Sequence, residues 1–369
     1  MMNEQRTTGS ILFLTLYAFG ITGGIEKVCR SLAKALTGLG LSFDLYAMHD
    51  SANDLDNRYL QANRFRAFSG RKLYFGLASI FKGVFSNTII LSHVNLLVFA
   101  WVIKKIAPQT KIILYAHGIE IWGALSGWKK QFLQEKVEIW AVSTFTAAKI
   151  AEMHQIDSKN ITVLNNCLDP YFEIPTQFAR PIDLLQRYHL QAKQPILFTL
   201  TRLSAQEAYK GYDQVLSAMP VLLKKFPDLH YLLAGKADEQ EYNRVKDLIT
   251  QLGLSKNVTL TGFIKDEELS DHFKLGSLFV MPSTLEGFGI VFIEAAACGA
   301  KIIAGNVDGS TDALLNGKLG ALVDPTSIAA LISAIEQELL NASNPLAIQN
   351  LCLTHFAYPQ YLSRISRLI

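Results

Sequence analysis

The sequence has few cysteines and no long uninterrupted apolar segment. Because the cysteines stand singly with no CxxC pair, a zinc site and a disulfide framework are disfavoured, and a reducing cytoplasm is expected. The four positions are Cys29, Cys167, Cys298 and Cys352. Polar and basic side chains interrupt the most apolar region, residues 89–106, so we expect no membrane-crossing segment there. Residues 1–10 lack the charged-then-apolar pattern of a secretory signal.

Charge is distributed unevenly along the 369 residues. Residues 1–180 hold 19 Lys and Arg against 13 Asp and Glu, whereas residues 181–369 hold 16 against 19. Basic clusters in the first half include aromatic side chains, as in Arg64-Phe65-Arg66, residues 71–75 and Trp128-Lys129-Lys130. This pattern fits an anionic membrane surface or a phosphate-bearing acceptor as a partner, and it fits ordinary solvated surface equally well.

Short apolar runs alternate with helical stretches throughout the chain, which is typical of parallel sheets covered on both faces. The expected strands of the first half are residues 11–19, 43–48, 88–92, 111–116, 139–142 and 161–164. Those of the second half are residues 196–201, 231–234, 258–262, 278–281, 301–304 and 321–323. The fold class is therefore α/β, with two doubly wound, Rossmann-like domains.

A proline-bearing stretch without a long apolar run, residues 174–194, marks the connection between the domains. We expect an N-terminal domain over residues 1–173 and a C-terminal domain over residues 174–349. The tail has a helical pattern that breaks at Pro359, and its apolar residues need a partner surface. The helix at about 350–369 is expected to pack back on the first domain.

The most informative motif joins a buried strand to a helix through a glycine-hinged loop. Its sequence, residues 282–294, reads Pro-Ser-Thr-Leu-Glu-Gly-Phe-Gly-Ile-Val-Phe-Ile-Glu. Gly287 and Gly289 let the backbone approach a ligand, and the helix start presents unpaired N–H groups suited to a diphosphate. Glu286 is placed to bind sugar hydroxyls, and Glu294, eight residues later, to accept hydrogen bonds from a ribose diol.

Two cations follow the first strand of the second half. Arg202 stands at the strand end and Lys210 eight residues later. The spacing allows both to converge across the loop on a pyrophosphate. In isolation a solvated charge pair is the favoured explanation, and the loop with Glu286 and Glu294 reverses that preference.

Two weaker motifs follow strands of the first half. Gly23 and Gly24 lie in a strand-to-helix loop whose spacing does not match GxGxxG, so either phosphate contact or a tight turn accounts for them. His117-Gly118 ends the strand at residues 111–116. A lone histidine is more often structural, but its position at the carboxyl end of a strand favours contact with a ligand. His93 ends another strand and is a weaker candidate.

At this point the residues resemble the retaining glycosyltransferases of family 4, which have the GT-B fold. Glu286 and Glu294 match the paired-glutamate motif within a PSxxEGFG-like stretch, and Arg202 with Lys210 matches the basic pair that binds the donor diphosphate. Gly23-Gly24 and His117-Gly118 match the glycine loop and the histidine motif of the first domain. The resemblance covers nearly the whole chain.

The resemblance implies two domains facing each other across a cleft and transfer of a hexosyl group from a UDP-hexose or GDP-mannose, with retention and without metal or cofactor. The catalytic set would be His117, Arg202, Lys210 and Glu286, and Gly23, Gly24 and His117 would lie on the acceptor side. The donor would be bound by Gly24, Arg202, Lys210, Glu286, Gly287, Phe288, Gly289, Ile290, Val291 and Glu294.

The implied acceptor is a glycan or a lipid-linked molecule in surface polysaccharide synthesis. We expect a cytoplasmic protein that is peripheral at the inner membrane face, with no nucleic acid among its partners. Three positions depart from the common family pattern, Lys301, Asp308 and Asp312, and none is expected to touch the anion-binding residues.

Three alternatives remain at this stage. Asp54-Leu55-Asp56 supplies the DxD of a metal-dependent transferase, but it follows no apolar strand and is interpreted as a surface loop. A nucleotide-sugar 2-epimerase on the same fold would need an extra carboxylate that is not identifiable. A non-catalytic nucleotide-sugar-binding subunit would bind without turnover.

Overall fold

The computed structural model describes residues 9–369 and divides into two compact units. The first unit runs to Pro170 and takes in Ala357–Ile369, and the second spans Tyr171–Phe356. The boundaries expected from the sequence are residues 173/174 and about residue 350.

The first unit is built on a parallel sheet of seven strands in the order β3-β2-β1-β4-β5-β6-β7. The strands are β1 (Ile11–Thr15), β2 (Phe43–Ala47), β3 (Phe65–Ala67), β4 (Thr88–Leu91), β5 (Lys111–Ala116), β6 (Glu138–Ala141) and β7 (Ile161–Val163). Six of them coincide with expected apolar runs. The central strands are buried, as continuous apolar sequences covered on both faces require.

Helices connect the strands of the first unit. They are α1 (Gly24–Gly38), α2 (Lys72–Gly83), α3 (Leu97–Ile106), α4 (Ile119–Trp122), α5 (Gly127–Lys136) and α6 (Thr144–His154). The chain moves outward from β1 to β2 on one side, and from β4 to β5 on the other. The order therefore reverses between β1 and β4, which is where open parallel sheets bind ligands.

The second unit has a parallel sheet of six strands in the order β10-β9-β8-β11-β12-β13. After α7 (Ile182–Arg187), the strands are β8 (Ile196–Leu200), β9 (His230–Ala234), β10 (Val258–Gly262), β11 (Leu278–Met281), β12 (Ile302–Gly305) and β13 (Ala321–Val323). The helices are α8 (Tyr212–Lys225), α9 (Glu239–Gln251), α10 (Leu269–Leu275), α11 (Ile290–Ala297), α12 (Ser310–Ala313), α13 (Ile328–Leu340) and α14 (Pro345–Phe356). The two doubly wound, Rossmann-like units confirm the expected fold class.

The tail forms two helices with a break before Pro359. The first, α14, packs on α11 in the second unit, and the second, α15 (Tyr358–Leu368), packs on α1 in the first. Pro359 lies in the first turn of α15, where its missing N–H costs no helix hydrogen bond. Tyr361 and Ile365 are the buried side chains of α15.

None of the helices described for residues 9–369 combines the length and the apolar composition that a membrane crossing requires.

Candidate active site

The strand order of the second unit reverses between β8 and β11. Strand β8 leads to β9 on one side and β11 leads to β12 on the other. The two loops that follow them, residues 201–211 and 282–289, therefore leave adjacent carboxyl ends at the topological switch point. These loops carry Arg202, Lys210 and Glu286.

Lys210 and Glu286 come together at this point. The Lys210 Nζ lies 2.5 Å from Glu286 Oε1, and both side chains are largely buried, 16% and 12% exposed. Burial alone would lower the pKa of Lys210, but the Glu286 carboxylate outweighs it, and the pKa is raised from its ordinary value. Lys210 therefore remains a cation at physiological pH, held beside the helix-start loop.

Arg202 is placed differently from Lys210. Its guanidinium lies 3.0 Å from Glu207 Oε1, and its side chain is 61% exposed. Both cations lie near the half-buried Tyr209. Burial raises the pKa of Tyr209, and the charges of Lys210 and Arg202 only partly oppose that rise. Sequence reasoning did not identify Glu207 or Tyr209 as neighbours of the cation pair.

The backbone ties the two loops to each other. The Thr284 N–H donates to the Tyr209 carbonyl at 2.9 Å, which fastens the residue before Lys210 to the loop that carries Glu286. The Lys210–Glu286 pair is therefore set by a fixed backbone contact as well as by its charges.

Asp308 fastens the Glu286 loop from the far side. The buried carboxylate accepts hydrogen bonds from the Glu286 N–H at 2.7 Å, the Ser283 hydroxyl at 2.9 Å and the Ser310 N–H at 2.9 Å. Because β12 lies beside β11, its loop lies against Glu286, and this contact of Asp308 was not predicted from the sequence. Burial raises the pKa of Asp308, and these hydrogen bonds oppose that effect.

The residue after Asp308 must be a glycine for the same contact to form. The Gly309 N–H donates to the Glu286 carbonyl at 2.9 Å. A Cβ at Gly309 would lie 2.1 Å from the Gly287 carbonyl oxygen, which no side chain can accommodate.

Helix α11 begins directly after this loop. Gly289 precedes it with φ +84°, a left-handed conformation that favours glycine, and no side chain of the described residues caps the first turn. The N–H groups of Ile290 and Val291 therefore remain suited to an anion. Phe288 is buried and packs edge-on against Phe356, with ring centroids 5.6 Å apart, so its side chain shapes the loop from behind.

Glu294 lies in the second turn of α11 and is 2% exposed. The helix ends before Gly299, which has φ +75°, the left-handed conformation of a glycine that stops a helix.

The glycine loop of the first unit follows β1. Gly23 is extended and precedes α1, and Gly24 is the first residue of that helix, with open space where a Cβ would lie. The buried Asp50 accepts hydrogen bonds from the N–H groups of Ala18, Phe19 and Gly20 and so holds the start of this loop. Sequence reasoning missed Asp50, which lies beyond the end of β2.

His117 follows β5 in the first unit. The backbone N–H of His117 donates to Glu120 Oε1 at 2.5 Å, and the His117 ring stacks on Tyr115. The buried Nε2 atom has no hydrogen-bond partner among the described residues. Burial first, and His93 second, lower the pKa of His117 to about 3, so the imidazole is neutral at physiological pH. A buried ring nitrogen of this kind is suited to a ligand hydroxyl.

The DxD carboxylates of the first unit have local partners. Asp54 accepts from the Ser51 N–H in a capping box, and Asp56 pairs with Arg58 at 2.6 Å. Across residues 9–369 no group of three His, Cys, Asp or Glu side chains is arranged to hold a metal ion.

Two family models match this chain and together span most of it. The model described as "Glycosyltransferase Family 4" matches residues 22–172, and the one described as "Glycosyl transferases group 1" matches residues 183–350. The first match covers most of the first unit and the second covers the loops at the switch point of the second.

Curated relatives match over part of their length. A protein of Mycolicibacterium smegmatis, described as a GDP-mannose-dependent alpha-(1-6)-phosphatidylinositol monomannoside mannosyltransferase, is 32% identical over 41% of this chain and 40% of its own. Its counterpart of the same description in Mycobacterium tuberculosis is 26% identical over 66% of this chain and 64% of its own. The alignments thus span less than two thirds of these relatives.

A solved structure is similar over almost the whole chain. The crystal structure of Anabaena HepE in complex with UDP and glucose has a TM-score of 0.78 at 20% identity and covers 98% of this chain and 99% of that one. At this identity the similarity shows the fold, and the fold is GT-B. With both family models matched in sequence order, the chain belongs to the group 1 glycosyltransferases of family 4.

Proposed function

We propose that this protein transfers a hexosyl group from a nucleoside diphosphate sugar to a hydroxyl group of an acceptor, with retention at the anomeric carbon. The observation that carries the proposal is the buried Lys210–Glu286 pair beside the uncapped start of α11. It puts a cation, a carboxylate and free backbone N–H groups at the switch point of one sheet, as a sugar diphosphate requires.

The diphosphate would be bound from two directions. Lys210 supplies a fixed positive charge, and the first turn of α11 supplies N–H donors and the positive end of the helix dipole. The exposed Arg202 side chain can rotate from Glu207 to add a guanidinium. These groups stabilise the charge that develops on the leaving phosphate, which is the role of an oxyanion-binding site.

The reaction breaks the bond between the anomeric carbon and the β-phosphate oxygen and forms a bond from that carbon to the acceptor oxygen. On a same-face path the departing phosphate takes the proton of the acceptor hydroxyl. Because positive side chains serve the leaving group, we propose that no divalent metal and no cofactor take part.

The remaining residues orient the substrate. Glu286 would bind sugar hydroxyls and Glu294 the ribose of the nucleoside. Phe288 would hold Gly287 and Gly289 in place through its packing on Phe356. In the first unit, His117 would bind a substrate hydroxyl as a neutral imidazole, and the loop at Gly23 and Gly24 would admit the acceptor.

The relatives support a UDP-hexose or GDP-mannose as donor. The mycobacterial relatives are described as GDP-mannose-dependent, and HepE was crystallised with UDP and glucose. The mycobacterial relatives are described as phosphatidylinositol monomannoside mannosyltransferases. This description supports a glycan or lipid-linked acceptor in surface polysaccharide synthesis at the inner membrane face. Nucleic acid is not among the proposed partners.

Substitution of Lys210 by alanine tests the proposal. Transfer should fall at least about a hundredfold, as loss of one oxyanion-stabilising group does in other enzymes. Lys224→Ala, an exposed lysine on α8 of the same unit, is the matched control and should leave the rate unchanged. Transfer at the wild-type rate by the Lys210→Ala protein would disprove the role of this cation.

A thermal-shift screen identifies the donor first. The folded protein should melt at a higher temperature with its own nucleotide sugar, since binding to the native state alone stabilises it. With that donor, NMR of the product should show retained anomeric configuration, and EDTA should not lower the rate. Epimerised free nucleotide sugar, or binding without turnover, would favour the two alternative functions over transfer.

A further inference from the structure

Helix α2 of the first unit is apolar on two opposite sides. One side is buried: Phe75 packs edge-on against Phe99 of α3, and Gly76 and Gly83 let the helices approach closely at Phe99 and Ile103. An ordinary surface helix would present polar residues on its other side.

That other side instead exposes four large apolar side chains at spacings of four. Leu73 is 87% exposed, Leu77 70%, Phe81 71% and Phe85 72%. Residues four apart lie one above another on a helix, so the four form a continuous stripe running along α2 and two residues past its end. Scattered exposed apolar residues need no explanation, whereas a continuous stripe of this exposure indicates a binding surface.

The adjacent helices extend this surface. Helix α3 contacts both α2 and α5. Trp101 of α3 and Trp128 of α5 are each 39% exposed, with rings 5.9 Å apart, and the ammonium groups of Lys105 and Lys129 lie over them. We call the stripe on α2 together with these two tryptophans and two lysines the α2 face.

Basic residues outnumber acidic ones in the sequence around the α2 face. From residue 57 to residue 119 the sequence holds nine Lys and Arg and no Asp or Glu. The carboxylate of Asp44, on β2, pairs with Lys82 of α2 at 2.7 Å. Lys72 and Lys105 are exposed and remain available to an anionic partner.

We propose that the α2 face binds the surface of a lipid bilayer that contains anionic lipids. A helix with an apolar stripe flanked by lysines and aromatic rings lies in the plane of such a surface, with the apolar side chains among the acyl chains and the cations at the headgroups. A second copy of the chain would bring two basic faces together, and a nucleic acid would leave the aliphatic Leu73 and Leu77 without an apolar partner.

The position of the face relates it to the acceptor, a step that rests on the proposed function. The chain reaches α3 from the carboxyl end of β4, and α5 from the carboxyl end of β5 by way of α4. Burial is the main cause that lowers the pKa of His93, and the nearby Lys129 ammonium is the second. His93 lies near His117 and contributes to lowering its pKa. A protein bound through the α2 face would hold this edge near the membrane, where a lipid-linked hydroxyl is presented.

Flotation of the full-length protein with vesicles tests the proposal. Vesicles of phosphatidylglycerol and phosphatidylcholine in equal parts should carry the protein, and vesicles of phosphatidylcholine alone should not. Leu77→Ser with Phe81→Ser should weaken binding at least about tenfold, and Lys72→Glu with Lys105→Glu should weaken it and flatten its decrease with salt. Tryptophan fluorescence should shift to shorter wavelength on binding.

Matched controls lie in the second unit. Leu340→Ser changes a side chain that is 65% exposed, and Lys224→Glu an exposed lysine, and both variants should bind like the wild type. The Lys210→Ala protein should also bind vesicles normally, which separates this proposal from the proposed transfer reaction. Equal binding to neutral vesicles, no binding to either kind, or a concentration-dependent dimer abolished by the Leu77 and Phe81 substitutions would overturn it.

Discussion

Asp308 joins two loops that lie 22 residues apart in sequence, and its carboxylate accepts hydrogen bonds from three donors at once. Asp308→Ala leaves the Glu286 and Ser310 N–H groups without their acceptor, at a cost of about 1–3 kcal/mol for each buried unsatisfied group. We expect the melting temperature to fall by roughly 5–10 °C. We also expect kcat/KM to fall, because the Glu286 backbone loses its anchor.

A conservative variant distinguishes the positioning of Glu286 by Asp308 from a general effect of Asp308 on folding stability. Asp308→Asn keeps one oxygen that can accept from Ser283 and Glu286 but turns an amide toward the Ser310 N–H. It should retain more activity than the alanine variant although it too is destabilised. Asp308→Ala with a wild-type kcat/KM, once corrected for the folded fraction, would show that the hydrogen bonds do not position Glu286.

His117 predicts a pH dependence of folding stability. Its pKa is about 3 in the folded protein against an ordinary value of 6.5, so between these values the unfolded chain holds the extra proton. The contribution of the neutral His117 ring to the free energy of unfolding is therefore fully present above pH 6.5. It is lost as the pH falls toward 3, by up to about 1.4 kcal/mol per pH unit. In urea unfolding at about pH 5 and about pH 7, His117→Asn should show a smaller difference than the wild type.

Tryptophan fluorescence suits this measurement, because all four tryptophans lie in the first unit with His117. His189→Asn, an exposed histidine of the second unit, should leave the pH dependence of that signal unchanged. An unaltered pH dependence in His117→Asn would mean that the ring is solvated in the folded state.

At the scale of elements, apolar runs located every strand except β3. Phe65-Arg66-Ala67 is three residues long, is only partly buried and carries an arginine, so its sequence resembles surface. It becomes a strand because β2 offers it an open edge, with Leu45 opposite Phe65 in the parallel register. A pairing of that kind depends on the neighbour in space and is not written in the three residues themselves.

The loops show the same limit. Residue types and spacing indicated that Lys210 and Glu286 belong to one site, since both follow strands at a sheet edge. They did not indicate that Arg202 pairs with Glu207, or that Asp308 reaches back to Glu286. The first depends on the turn of residues 205–210 and the second on the adjacency of β11 and β12, and both are tertiary facts.

At the scale of the whole chain, the first unit is assembled from two distant segments, since α15 packs on α1. The side chains that α15 buries, Tyr361 and Ile365, are 2% and 0% exposed. Burying an aromatic or branched side chain is worth about 1.5–3 kcal/mol relative to leaving it exposed. The stability of the first unit should therefore depend on the last residues of the chain.

Tyr361→Ala with Ile365→Ala creates cavities and should lower the free energy of unfolding of the first unit by about 4–8 kcal/mol. We expect the unfolding transition seen by tryptophan fluorescence to move to a lower urea concentration. Donor-induced protection of the second unit from hydrogen exchange should persist, since Lys210 and Glu286 belong to residues 171–356. Arg367→Ala, an exposed position on the same helix, should change neither signal. Were the double variant to unfold at the urea concentration of the wild type, α15 would be a surface attachment that the first unit can fold without.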